Sequence, residues 1–141
     1  MKVTEYFEKA REAALAKRND FRNFYVGAVG IRSDGAVVSA TNGPAVLNEK
    51  EKSKGRKHSF PQAHAEYRLC RKLDVGAIVF VYRVKRGSKK VGKARPCEDC
   101  QRVLRAVGVS KVYYTINEFE YGVMYLNKKP SFGLVESEKT F

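Results

Sequence analysis

The sequence contains little that could cross a membrane or direct secretion. Its longest apolar run is only a few residues, far short of the roughly 20 that a spanning helix needs. Residues 1–18 carry charges throughout, whereas a secretory signal requires an uninterrupted apolar stretch after a basic start. We therefore expect no membrane association and a cytoplasmic location.

Cysteine and histidine are also scarce, with three cysteines and two histidines in 141 residues. An odd number of cysteines argues against a disulfide framework. Cys97 and Cys100 form a C-x-x-C pair, which in a chain without an export signal indicates metal or redox chemistry. The third cysteine, Cys70, is predicted to lie in the core, and His58 is predicted to be a loop residue.

Acidic residues are few relative to basic ones, 15 against 28, which leaves a formal charge of +13. A field of that sign concentrates phosphate-bearing partners near the surface. Two predicted basic loops, 50–57 and 83–95, precede two short segments, 64–66 and 96–100, whose residues form a candidate metal site. The loops should therefore form the rim of that site. That placement favours a phosphorylated substrate, with single-stranded nucleic acid as an alternative partner of these loops.

Length and patterning predict a single α/β domain over residues 1–141, with a C-terminal tail at 127–141. The apolar fraction of 43% suffices to cover both faces of a small sheet with helices. Amphipathic spacing or a helix-start signal predicts helices at 3–18, at 64–73 and after Pro96.

Short β-branched or apolar runs predict the strands of a mixed five-stranded sheet, at 24–32, 36–41, 77–84, 111–116 and 120–126. The turn residues Ser33, Asp34 and Gly35 join the first two strands as a hairpin. Only residues 117–119 separate the last two strands. Because that is too short for a crossover helix, the fifth strand should run antiparallel to the fourth.

Two short segments carry the chemistry. His64-Ala65-Glu66 begins one predicted helix, and Pro96-Cys97-Glu98-Asp99-Cys100 begins the next. Two cysteines three positions apart on a first helical turn point the same way, and the helix N-terminus favours their thiolate forms. This pattern is half of a zinc site.

A catalytic zinc keeps three protein ligands and an open position, whereas a structural zinc takes four. A closed site is hard to assemble from one C-x-x-C and two histidines, so His64, Cys97 and Cys100 with an open fourth position fit better. Zinc lowers the pKa of a bound water toward neutrality. Glu66, two residues from His64, could take the proton of that water without binding the metal.

H-A-E followed by P-C-x-x-C resembles the cytidine and deoxycytidylate deaminase superfamily, whose members share an H-x-E and P-C-x-x-C signature. Residues 24–28 are similar to the F-x-V-G-A segment of cytidine deaminases, and residues 42–44 to the family's Asn-bearing turn. Residues 58–66 are similar to the approach to the metal in tRNA-type adenosine deaminases. Arg68 stands where deoxycytidylate deaminases carry an asparagine.

The resemblance implies a three-layer α/β/α sandwich and a zinc-dependent hydrolytic deaminase. It implies zinc ligation by His64, Cys97 and Cys100 and proton transfer by Glu66. It further implies substrate contacts from Asn42, from the backbone N–H of Ala65 and from Phe24. Members of the superfamily often pair or form larger assemblies, so the resemblance allows a homo-oligomer, but no apolar stripe in the sequence identifies an interface and the oligomeric state is left open.

Three functions follow as hypotheses. The first is conversion of cytosine to uracil on a nucleotide such as deoxycytidylate, which the basic rim favours. The second is deamination of cytosine or adenine in single-stranded DNA or RNA, tRNA-like substrates included. The third is a nucleic-acid-binding module in which zinc serves stability, a role that leaves Glu66 unexplained. An antiparallel fifth strand suggests the family's nucleoside branch, whereas H-A-E suggests its nucleotide and nucleic-acid branches.

Overall fold

The computed structural model describes residues 2–16, 24–44, 62–85, 87–88, 90–126 and 135–141. Within these ranges the helices are α1 (Val3–Ala16), α2 (Ala65–Leu69) and α3 (Glu98–Val107). The strands are β1 (Phe24–Ile31), β2 (Val37–Thr41), β3 (Gly43–Pro44), β4 (Gln62–Ala63), β5 (Ile78–Lys85), β6 (Val91–Gly92), β7 (Lys111–Thr115), β8 (Glu120–Tyr125) and β9 (Val135–Thr140). No helix in these ranges is long and apolar enough to cross a membrane.

The main sheet is mixed, with strand order β2-β1-β5-β7-β8-β9 and β6 paired to β5. Strands β5 and β7 are parallel, and α3 lies between them in the chain. The other ladders are antiparallel, β7 with β8 included, as the short 117–119 connection predicts. The β1–β2 hairpin is also confirmed, and Gly35 at its turn adopts φ 89°.

In the part of the chain that the structure describes, the main sheet has seven strands instead of the predicted five. One addition is β9, which lies in the segment predicted to be a tail and pairs with β8 along Val135–Thr140. The other is β6, a two-residue strand in the predicted 83–95 loop. The predicted helix at 64–73 is shorter, because α2 ends at Leu69 and continues as a 3₁₀ turn, Cys70–Lys72.

Side-chain alternation along the central strands divides the core into two layers, as strand geometry requires. On β5, Val79 and Val81 face the core shared with α2 and α3, whereas Phe80 faces the core under α1. On β7, Tyr114 and Tyr113 divide in the same way, because successive side chains of a strand point to opposite faces. Helices on both faces of a mixed sheet make the predicted three-layer α/β/α sandwich.

Helix α1 packs against β1 at Gly27 with no room for a side chain. A Cβ atom at this position would collide with the carbonyl oxygen of Ala10 and lie 2.6 Å from the backbone nitrogen of Ala14. Both neighbours are backbone atoms of α1, so they can give way only if the whole helix moves. Gly27 therefore sets the distance between the helix and the sheet.

We expect Gly27→Ala to lower the free energy of unfolding by about 2–3 kcal/mol, the upper part of the range for overpacking. Gly30→Ala on the same strand is the control. Its Cβ would meet methyl groups of Leu73 and Val38, which are side-chain atoms that can rotate away, so its cost should be about 1 kcal/mol or less. Urea titration measures both values, and equal losses would contradict this account of Gly27.

Candidate active site

The candidate residues lie at the starts of two helices that contact each other. His64 precedes α2 and Cys97 precedes α3, both with extended backbone, and neither side chain caps its own helix. The imidazole and the thiol project instead toward each other. Cys100, in the first turn of α3, reaches the same point. The topology thus joins two motifs that are 33 residues apart.

The three side chains have the spacing of a tetrahedral zinc site. Their ligand atoms all lie within 4.8 Å of one another. The Nδ1 atom of His64 is 3.6 Å from the Sγ atom of Cys97 and 3.3 Å from that of Cys100. Zinc bonds of about 2.3 Å to sulfur and about 2.0–2.1 Å to nitrogen would place N and S about 3.6 Å apart at a tetrahedral angle. These residues fit the ion.

Burial keeps the Cys100 thiol protonated when no cation is near, so the expectation that the helix N-terminus favours its thiolate form is wrong for this cysteine. Desolvation is the largest cause that raises its pKa, and the neighbouring Glu66 carboxylate and Cys97 act in the same direction. Zinc binds the thiolate, so metal binding must release this proton. Because the raised pKa lies well above neutrality, zinc affinity should fall as the pH is lowered.

Glu66 lies beside the cluster but outside it. The residue is 5% exposed, and desolvation raises the pKa of its carboxyl group, opposed by backbone hydrogen bonding, by His64 and by the Cys100 thiol. A carboxyl with a raised pKa can both accept and return a proton near neutral pH. The geometry therefore offers a buried proton carrier next to a site for a metal.

A cavity of about 300 Å³ opens in front of the cluster. Its lining residues are Phe24, Val26, Asn42, His64, Ala65, Glu66, Arg83, Lys93, Ala94, Arg95 and Cys97. Lys93 and Arg95 are exposed whereas Glu66 is buried, so cations occupy the solvent side of the cavity and the Glu66 carboxyl group occupies its inner side. The cavity combines an apolar wall, a metal site and a cationic entrance.

The three residues expected to contact substrate, Phe24, Ala65 and Asn42, all line this cavity. The Asn42 amide bridges to β1: its Oδ1 accepts from the Val26 N–H at 3.0 Å, and its Nδ2 donates to the Phe24 carbonyl at 2.9 Å. These bonds hold Asn42 at the cavity wall. Its contact with substrate, like those of Phe24 and Ala65, stays a prediction.

Of the two predicted basic loops, the structure describes most of 83–95 and none of 50–57. Residues 50–57 and His58 lie outside the described residues. The segment 83–95 is a loop only in part. Arg83 and Lys85 belong to β5, and β6 pairs back onto Arg83 and Val84, whereas residues 93–95 are in no helix or strand. The Cζ atom of Arg83 lies 3.8 Å from the centroid of the Phe24 ring, a cation–π contact at the cavity wall.

The cavity entrance also contains an ion pair that the sequence does not predict. The Arg95 guanidinium forms an ion pair with Glu136 on β9, with Nε 2.8 Å from Oε1. The pair joins the cavity to the segment predicted to be a tail. No local signal predicts such a contact, since the partners are 41 residues apart and β9 has no apolar alternation.

Cys70 is partly buried and packs against the larger core, as predicted. Desolvation, with a contribution from Glu66, raises the pKa of its thiol to about 11. It is not one of the three residues that surround the metal position. Cys70 therefore serves as an internal control for experiments on the other two cysteines.

Known proteins match the chain at two levels. The profile of the cytidine and deoxycytidylate deaminase zinc-binding region matches residues 1–116. Cytidine deaminase from Burkholderia pseudomallei is similar in structure, with a TM-score of 0.62 at 21% identity over 89% of this chain and 94% of that chain. No curated protein sequence matches the chain.

Two mycobacterial structures show the same architecture. Cytidine deaminase from Mycobacterium leprae has a TM-score of 0.52 at 20% identity over 79% of this chain and 87% of that chain. The enzyme from Mycobacterium tuberculosis has a TM-score of 0.52 at 22% identity over 80% and 83%. At these identities the likeness is one of fold, and it agrees with the three-layer sandwich expected from the motifs.

Proposed function

The chain belongs to the cytidine and deoxycytidylate deaminase family, a class of zinc-dependent hydrolases, and on that premise we propose that it deaminates cytosine on a nucleoside monophosphate such as deoxycytidylate. The observation that carries the substrate proposal is the cationic entrance formed by Arg83, Lys93 and Arg95 in front of Glu66. The products are the corresponding uracil nucleotide and ammonia.

The proposed reaction replaces the C4–N bond of cytosine with a C4–O bond from water. Zinc, when bound by His64, Cys97 and Cys100, supplies the Lewis acidity that makes water nucleophilic at neutral pH. Glu66 takes a proton from the attacking water and delivers it to N3 of the base. It then carries the remaining proton of that water from the new C4 hydroxyl to the exocyclic amine, which leaves as ammonia while C4 becomes a carbonyl.

The charge at the entrance matches a phosphate monoester. Three cations and the Glu136 carboxylate, paired with Arg95, leave a net charge of +2. A phosphate monoester carries about −1.5 to −2 at neutral pH, whereas a free nucleoside carries no charge for these groups to recognise. The cavity wall supplies apolar surface from Phe24 and Val26 for the uncharged part of the substrate.

A second candidate substrate is free cytidine or deoxycytidine. The antiparallel pairing of β7 with β8 favours it, because the family resemblance associates this arrangement with the nucleoside branch. The structurally similar proteins are named cytidine deaminases. A nucleoside enzyme, however, has no use for three cationic side chains at its entrance. The response to the phosphate therefore separates the two candidates.

The test is ammonia release from cytidine, deoxycytidine, their monophosphates, adenosine and a short cytosine-bearing single strand. We expect kcat/KM for deoxycytidylate to exceed that for deoxycytidine at least tenfold. Arg95→Gln should lower kcat/KM for deoxycytidylate by about 10- to 100-fold, the scale of a lost charge-assisted hydrogen bond, and leave deoxycytidine nearly unchanged.

Arg105→Gln, an exposed arginine of α3 that does not line the cavity, is the matched control. Equal kcat/KM for deoxycytidine and deoxycytidylate would reject the nucleotide proposal. Release from the oligonucleotide alone would instead identify a nucleic-acid deaminase, whose binding should weaken steeply with salt.

A further inference from the structure

Glu136 holds Arg95 through both carboxylate oxygens. The Nε atom of Arg95 donates to Oε1 at 2.8 Å, and one Nη2 hydrogen donates to Oε2 at 3.3 Å. The two side chains are 36% and 25% exposed, so the pair is partly shielded. A bidentate arginine–carboxylate pair fixes the plane of the guanidinium, which single-point surface ion pairs do not.

The position of the Glu136 carboxylate is itself set by the core. The hydroxyl of Tyr114 donates to Oε1 of Glu136, and Tyr114 is 1% exposed in the larger core cluster. Its ring packs directly over Gly122 on β8, where a Cβ atom would collide with the ring. A buried residue with no room to move therefore locates the carboxylate.

The ion pair leaves part of the guanidinium for a ligand. Arginine has five N–H donors in a fixed plane, and the contacts with Glu136 use two of them. Arg95 lines the cavity and lies two residues before Cys97. Its other donors can meet an anionic group of a molecule whose base lies at the metal site.

We infer that Glu136 is a positioning residue for substrate phosphate: it holds the Arg95 guanidinium at the cavity entrance so that the donors it does not use bind the 5′-phosphate. The inference rests on the proposed function. It makes the C-terminal strand β9 part of the recognition of the substrate, although β9 contributes no residue to the cavity lining.

Glu136→Gln tests the inference because it keeps the length of the side chain and breaks the two-point pairing with Arg95. A glutamine presents one oxygen and one NH₂ group, and the NH₂ would oppose an N–H donor of Arg95. The guanidinium then regains rotamer freedom that binding must remove. We expect KM for deoxycytidylate to rise about tenfold, with kcat within twofold and with both constants for deoxycytidine within twofold.

Two controls separate positioning from a structural role. Glu138→Gln makes the same change of charge on the same strand and should leave KM unchanged. In an Arg95→Gln background, adding Glu136→Gln should change KM less than twofold, because a residue that acts through Arg95 has nothing left to position.

Tyr114→Phe removes the hydroxyl that donates to Glu136. It should also raise KM for deoxycytidylate, by a smaller factor than Glu136→Gln.

Each outcome decides the inference. An unchanged or lower KM for deoxycytidylate in Glu136→Gln overturns it, and a lower KM would mean that the carboxylate only repels the phosphate. If Glu136→Gln raises KM equally with and without the Arg95→Gln substitution, or raises KM for deoxycytidine as much as for deoxycytidylate, Glu136 has only a structural role. Those results leave the proposed function intact. A wild-type enzyme indifferent to the phosphate rejects the proposed function and this inference together.

Discussion

Replacing Glu66 with glutamine should lower kcat for cytosine deamination by about 10²- to 10⁴-fold, the usual contribution of general acid–base catalysis. Glutamine retains the shape of the side chain but cannot accept and return a proton. Glu66 is outside the group of residues that surround the metal position, so the zinc content should stay unchanged. Ammonia release and metal analysis of the same preparation measure both quantities.

Glu98→Gln is the matched control for this experiment. Glu98 is an exposed carboxylate in the first turn of α3 that does not line the cavity, so its replacement should change kcat by less than about threefold. If Glu66→Gln turns over substrate at the wild-type rate, the proton-transfer role of Glu66 is wrong. If the variant instead loses its zinc, Glu66 helps to hold the metal.

Removal of zinc by a chelator should abolish deamination and leave the sheet folded. The core clusters on both faces of the sheet are built from apolar side chains that make no use of a metal. Circular dichroism and deamination, measured together before and after chelation and after zinc is restored, test this expectation. Global unfolding on chelation would support a structural zinc and the nucleic-acid-binding alternative.

Cys100→Ala should weaken zinc binding by more than about 100-fold. Even removal of a residue that only hydrogen-bonds to a metal ligand lowers metal affinity by about 10- to 100-fold. Cys70→Ala is the control, since Cys70 packs against the core and is not one of the three residues around the metal position. Its zinc affinity should match that of the wild type. Equal zinc affinities for the two variants would contradict the assigned ligand set.

The pH dependence of zinc binding should follow from the raised pKa of the Cys100 thiol. Metal binding displaces a proton from a group that is protonated at neutral pH. Zinc affinity should therefore fall about tenfold for each pH unit of acidification per proton released. Competition with a chelator of known affinity, over about one pH unit on either side of neutrality, measures the slope of zinc affinity against pH.

The elements and the metal site are predictable from the sequence because both depend on local spacing. Val79 and Val81 alternate with Phe80 between the two cores, and a period of two needs only neighbouring residues to be read. Cys97 and Cys100 are three positions apart on one turn, and His64 starts the neighbouring helix. The short 117–119 connection likewise predicts the antiparallel pairing of β7 with β8.

Edge strands lack such a local signal. The residues of β9 include Glu136, Glu138 and Lys139, with no apolar alternation, because a sheet edge exposes most of its side chains. Its stability comes from backbone pairing with β8. Pairing of this kind depends on a partner strand and not on the composition of the segment itself. Composition alone therefore predicts a tail here and not a strand.

The sequence by itself determined the layered α/β architecture, the three candidate ligands and Glu66 as the candidate proton carrier, because the periodicity of each element and the spacing within the H-A-E and P-C-x-x-C motifs are local. The tertiary structure alone decided which cations face the cavity and what holds them. Arg95 and Glu136 are 41 residues apart, and they meet because β9 joins the sheet at β8, beside the strand that carries Tyr114. Contacts between distant segments follow from the packing of the whole sheet, which local spacing does not encode.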